Sequence, residues 1–96
     1  MKTVVITGSA RGLGLEMAKV FRQNNVNVVI SDLNEENLKI AKTELKKIKS
    51  DAHVKYFVCD VTKSENILKL IEYAKKEFDN IDIWINNAGV NQPDKA

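Results

Sequence analysis

Hydrophobic positions along the chain follow two different rhythms. Residues 3–6, 27–31, 54–58 and 81–85 are short stretches rich in Val, Ile and aromatics, the pattern of buried strands in a parallel sheet. Between them, apolar residues recur every three or four positions: Leu13, Met17, Val20 and Phe21; then Leu38, Ala41, Leu45 and Ile48; then Ile67, Ile71, Ala74 and Phe78. Each set predicts one face of an amphipathic helix. The resulting order, βαβαβαβ, predicts an α/β fold with a parallel sheet and right-handed crossovers.

Polar residues punctuate these elements. Thr62 and Glu65 read as a capping box opening the third helix. Glu35 and Glu36 begin the second helix and Lys46, Lys47 and Lys49 close it, each sign complementing the helix dipole. Asn24 and Asn25 end the first helix, since Asn tolerates the left-handed conformation. The stretch 90–96, with Pro93 and no periodicity, reads as a loop tail. Residues 1–96 are expected to form a single domain, of marginal stability at this length.

Composition narrows the function classes. Hydrophobic residues make up 44% and charged residues 29%, as in an ordinary globular protein. The formal charge is +2 with basic and acidic residues interleaved, so no basic face points to nucleic acid. The apolar runs are far too short to cross a bilayer, and no signal peptide precedes the first strand. The single cysteine, Cys59, excludes an internal disulfide and suits a reducing, cytoplasmic setting.

Candidate chemistry begins at the first strand–helix junction. Gly8, Gly12 and Gly14 allow a tight turn and let backbone amides approach a ligand, while the helix that follows aims its N-terminus at the same point. Such a turn favours a pyrophosphate; the plain alternative is a ligand-free βα connection. Asp32, with Leu33 beside it, follows the second strand, where a carboxylate accepts hydrogen bonds from adenosine ribose hydroxyls and repels a 2′-phosphate. That favours NAD over NADP. Arg11 pulls the other way, because a basic residue in the turn could pair with that phosphate. Asp32 or Asn34 could equally cap the second helix.

Thr7-Gly8-Ser9-Ala10-Arg11-Gly12-Leu13-Gly14, Asp60-Val61 after the third strand and Asn86-Asn87-Ala88-Gly89 after the fourth resemble the short-chain dehydrogenase/reductase family, in the subgroup with Thr-Gly-x3-Gly-x-Gly and Asn-Asn-Ala-Gly. The resemblance covers essentially the whole chain. It implies a Rossmann-like doubly wound parallel sheet, incomplete, with strand order 3-2-1-4. It also implies a cofactor site formed by Thr7, Gly8, Ser9, Arg11, Gly12, Leu13, Gly14, Asp32, Leu33, Asp60, Val61, Asn87, Ala88 and Gly89. Asp60 would meet the adenine amino group with Val61 beside the ring. Residues 86–89 would support the sheet near the adenosine ribose, with Thr7 hydrogen-bonded into them. The plain alternatives are that Asp60 precedes a helix cap and that Asn86 and Asn87 turn a loop.

The resemblance implies an oxidoreductase moving hydride between a nicotinamide and an alcohol or ketone carbon. Its catalytic serine and Tyr-x3-Lys pair would lie beyond this portion. Tyr56 is followed four residues on by Asp60 and Tyr73 by Glu77, so neither begins such a pair. No catalytic or metal-binding residue is assigned. His53 reads as a solvated residue at a strand start, Cys59 as a buried thiol and Trp84 as core. In the expected order, 81–85 forms an apolar edge that invites self-association or a carboxy-terminal half. The rival reading is a non-catalytic dinucleotide-binding or interaction module. A sugar-nucleotide epimerase relative fits less well, because its glycines are spaced Gly-x2-Gly-x2-Gly.

Overall fold

β1 (Thr3–Thr7), α1 (Gly12–Gln23), β2 (Asn27–Asp32), α2 (Glu35–Lys46), β3 (Val54–Val58), α3 (Ser64–Phe78) and β4 (Ile83–Ile85) follow one another in a computed structural model that describes residues 1–88. All pairs are parallel and the strand order is β3-β2-β1-β4, the order expected from the sequence. Gly89 and the 90–96 tail lie outside the described residues.

Alternation along the two central strands divides the core. Val4, Ile6, Val28 and Ile30 point to the face covered by α1 and α2, where Leu15, Ala18, Leu38, Ala41 and Leu45 meet them. Val5 and Val29 point to the other face, against Leu70, Ala74 and Cys59. Because β1 and β2 are covered on both sides, their residues read as continuous apolar runs.

α2 buries Leu38, Ala41 and Leu45 of its periodic set, while Ile48 falls beyond the helix end and is half-buried; Asn34 caps the helix by accepting from the Asn37 N–H at 3.0 Å. Asn25 turns the chain after α1 with φ +58°. Three local expectations are corrected. α1 does not bury Leu13 and Val20, which are 55% and 56% exposed; its buried face is Gly14, Leu15, Ala18 and Arg22, with Met17 and Phe21 half-buried beside it. Small residues on this face seat the helix close to the sheet, and apolar periodicity does not see them. Thr62 does not cap α3: the N-cap position is Lys63, with no side-chain cap bond. β4 begins at Ile83, later than expected, with Asp82 just before it tied to β1: its carboxylate accepts from the Thr3 N–H at 2.8 Å and its N–H donates to the Thr3 carbonyl oxygen at 2.9 Å. Trp84 is only half-buried, packed on the α3 face.

Arg22 is a buried cation that hydropathy alone would place on the surface. Its Nε donates to the Leu45 carbonyl oxygen at 3.0 Å, at the end of α2, and an Nη donates to the Ala52 carbonyl oxygen. It therefore ties α1 to the end of α2 and to the approach to β3, adding a second donor to the Leu45 carbonyl oxygen, which also accepts from the Ile48 N–H.

Candidate functional site

The carboxy-terminal ends of the strands open onto a cleft of about 470 Å³, lined by Gly8, Arg11, Gly12, Leu13, Asp32, Leu33, Cys59, Asp60, Val61, Thr62, Asn87 and Ala88. A crevice at this end of a parallel sheet is where doubly wound folds take ligands. Its three walls are the β1–α1 turn, the β2 end and the β3–α3 loop.

The turn is held from behind. Ser9 is fully buried; its hydroxyl donates to the Ile6 carbonyl oxygen at 2.6 Å and accepts from the Ser31 N–H at 3.0 Å. Its own N–H donates to the Ser31 carbonyl oxygen at 3.0 Å, so Ser9 continues the β1–β2 ladder past the last strand pair. Thr7 Oγ1 accepts from the Asn87 and Ala88 N–H groups at 3.0 and 3.1 Å. Asn87 Nδ2 donates back to the Gly8 carbonyl oxygen at 2.9 Å. Thr7, Ser9 and Gly14 thus stand behind the cleft wall and do not line it.

Two glycines in this turn differ in kind. A β-carbon on Gly14 would lie 2.5 Å from the Gly8 carbonyl oxygen and 2.7 Å from Asn87 Nδ2, so α1 closes on the turn only without one. At Gly12 nothing lies within 4 Å of that position, yet φ is +62°. Gly14 is therefore set by packing, and Gly12 by backbone conformation on a surface open to the cleft. Arg11 stands at the N-cap with extended backbone and no side-chain cap bond, leaving the first-turn N–H groups without a side-chain acceptor.

Two carboxylates flank the opposite side. Asp32 Oδ1 accepts from the Leu33 N–H at 2.8 Å and Oδ2 from the Ala10 N–H at 3.3 Å, which ties the β2 end to the glycine turn. Asp60 Oδ1 accepts from both Thr62 N–H, at 2.9 Å, and Thr62 Oγ1, at 2.6 Å. The Thr62 hydroxyl and N–H hold the Asp60 carboxyl below the usual carboxylate range, so it stays an acceptor. Burial, above all, pushes the Cys59 thiol up, leaving it a neutral part of the floor. The cleft thus presents backbone donors and Arg11 on one side, acceptor carboxylates on the other, and Leu13, Leu33 and Val61 among them.

Cys59 and Thr62 line the cleft although the sequence reading gave them packing and capping roles. The available signal was position: one precedes Asp60 and the other follows it by two, the spacing of a local Asp-centred turn. Other chemistry-bearing residues lie elsewhere. Tyr56 donates to Glu35 Oε2 at 3.2 Å, Tyr73 packs on Phe57 with ring centres 5.0 Å apart, and exposed His53 stacks on Phe78 at 6.4 Å. Among the described residues, no group of three His, Cys, Asp or Glu is placed to hold a metal ion, and no helix is long and apolar enough to cross a membrane.

Comparison with known proteins places this geometry. The short chain dehydrogenase family model matches residues 2–96. The chlorophyll(ide) b reductase NOL of Oryza sativa subsp. japonica chloroplasts is 43% identical over 88 residues, covering 92% of this chain and 26% of that protein. Among solved structures, an actinorhodin polyketide ketoreductase variant with NADPH superposes with a TM-score of 0.85 at 27% identity, over 92% of this chain and 33% of that one. NAD+-bound xylitol dehydrogenase gives 0.78 at 25% identity, over 86% and 31%. The chain spans about a quarter to a third of the length of these relatives.

Proposed function

This chain belongs to the short-chain dehydrogenase family, and from that premise we propose that it is the amino-terminal, cofactor-binding portion of an oxidoreductase moving hydride between a nicotinamide and an alcohol or ketone carbon. The observation that carries the reading is the cleft itself, where an uncapped helix start faces Asp32 and Asp60. The residues fit a dinucleotide: the open space over Gly12 admits a pyrophosphate to the α1 N-terminus, and the carboxylates suit hydroxyl and amino donors. Gly12 and Leu13 would hold the phosphates, Asp32 and Leu33 the adenosine ribose, and Asp60 and Val61 the base. Gly8, Asn87 and Ala88 would form the floor between them. Bound there, a nicotinamide dinucleotide supplies the hydride acceptor or donor.

What this chain contributes is binding and orientation. Thr7 and Asn87 clamp the β4 end to the glycine turn, fixing the floor against the α1 start. No residue of the cleft is given a proton-transfer role, and we expect the chain alone to show no turnover with alcohols or ketones.

We infer that NAD is preferred over NADP. A 2′-phosphate beside Asp32 would meet a like charge, and such juxtaposition costs several kcal/mol, more than exposed Arg11 returns. Parallel calorimetric titrations with NADH and NADPH test this. Tighter NADH binding supports the assignment of Asp32, and Asp32→Ser should narrow the gap; equal affinities would refute it. ADP-ribose should bind nearly as well as NADH. Among the described residues β4 pairs only with β1, so the same reading gives its outer edge to a further strand, from a carboxy-terminal half or a second copy. Sedimentation showing a strictly monomeric chain would remove the second copy. Unpaired Cys59 suits a reducing compartment such as the cytoplasm.

A further inference from the structure

Resting on the reading that this cleft takes the adenosine end of a dinucleotide, we propose that Thr62 is a positioning residue for base selection. It fixes Asp60 so that a single carboxylate oxygen remains to accept from an exocyclic amino group.

The inference starts from how completely Asp60 is held. Its N–H donates to Asn66 Oδ1, on α3, at 3.2 Å, and its carbonyl oxygen accepts from the Lys63 N–H at 3.1 Å. Oδ1 takes two bonds, from the Thr62 N–H and hydroxyl. Among the described residues only Oδ2 is left without a partner. An ionised carboxylate has no proton to give, so that oxygen rewards a donor and penalises a carbonyl. Thr62 lines the cleft beside it.

A purely structural role explains the Thr62 hydroxyl less well. The turn from Asp60 is already closed by the Thr62 N–H, and α3 starts with no side-chain cap, so the hydroxyl secures no helix end. What the second bond to the same oxygen adds is orientation: with two donors on Oδ1, rotation of the carboxylate breaks both. The short O–H···O⁻ bond is of the charge-assisted class, stronger than a neutral one. A capping box with Glu65 would instead have the Thr62 oxygen accept from the Glu65 N–H; here the hydroxyl donates to Asp60.

The test compares ADP-ribose with its inosine analogue, in which a 6-oxo acceptor replaces the 6-amino donor, by calorimetry on the 96-residue chain. Wild type should prefer ADP-ribose by about tenfold or more, the worth of a hydrogen bond to a charged group. Thr62→Val should reduce that preference at least ~3-fold, since the charge-assisted bond that orients the carboxylate is lost with the hydroxyl, and Thr62→Ser should restore it. Asp60→Asn, whose amide can donate, should shift the preference toward the inosine ligand and provides the reading if Thr62→Val does not fold. A preference unchanged in Thr62→Val, or lost equally in Thr62→Ser, overturns the proposal while leaving the cleft assignment standing. Failure of wild type to bind either ligand overturns that assignment and the proposal with it.

Discussion

The two faces of the sheet are built to different depths. Among the described residues, the face under α1 and α2 buries eleven apolar side chains in one cluster, whereas the face under α3 buries five and is completed by half-exposed Phe57, Tyr73, Phe78 and Trp84. The difference matters because the walls of the cleft draw on both. Asp32 is tied through Ala10 to the deep face, while the loop carrying Asp60 is anchored by Asn66 on α3. Stability is therefore concentrated under the helix start and the first carboxylate, and the wall carrying Asp60 is expected to belong to the part that opens more easily.

The sharpest way to break this comparison is to cut a large side chain from each face. Leu45→Ala, at a fully buried position against both helices and sheet, is expected to cost roughly 2–5 kcal/mol in urea unfolding. Leu70→Ala, equally buried but flanked by half-exposed neighbours, should fall near the lower end, about 2 kcal/mol, because the site can collapse. If the two costs match, the faces are energetically equivalent and the contrast fails.

Arg22→Met comes next. It keeps most of the volume but removes the Arg22 donor from the Ala52 carbonyl and one of two donors from the Leu45 carbonyl, and about 1–3 kcal/mol should be lost. Removing the Asn34 cap by Asn34→Ala should cost about 1 kcal/mol and shorten α2 at its start, visible as lost protection of the Asn37 amide in hydrogen exchange. Unchanged exchange there would show that the cap contributes nothing.

Cys59 gives the smallest effect and a sign. Burial favours the neutral thiol in the folded chain, so the unfolded chain ionises first. The contribution is fully present below the unfolded thiol value of about 8.5 and is lost as pH rises toward the higher folded value. Iodoacetamide should accordingly label folded protein far more slowly than urea-unfolded protein at mildly alkaline pH. Equal rates would mean that the α3 face does not seal its floor.

Legibility in the sequence followed the same division. β1 and β2 were readable because both faces are covered, which writes burial as unbroken Val and Ile. α2 is readable because Leu38 and Leu45, with Ala41 between them, carry a period. α1 was misread where small Gly14 and Ala18 and buried Arg22 do the seating, since a close approach leaves no trace in hydropathy. In the site, the glycine turn, Asp32 and Asp60 were legible as types at fixed places after strands. Thr62 is not, because its hydroxyl can either accept from a helix N–H as a cap or donate to Asp60, and only three-dimensional geometry decides between them. Ser9 was placed among ligand-contacting residues, and the structure puts its hydroxyl on the backbone of β1 and β2.

The strand order has a kinetic consequence. β1, synthesised before the other described strands, sits inside the sheet, and its partner on one side is β4, with Val4 opposite Ile83. Until β4 exists, one hydrogen-bonding edge of β1 has no partner among the described residues, and closing so long a loop is slow compared with forming local helices. The β3-β2-β1 portion can collapse beforehand on the α1/α2 face, but the floor made by Asn87 and Ala88 against Thr7 arrives only with β4. During synthesis, the sheet edge is therefore exposed before the cleft exists.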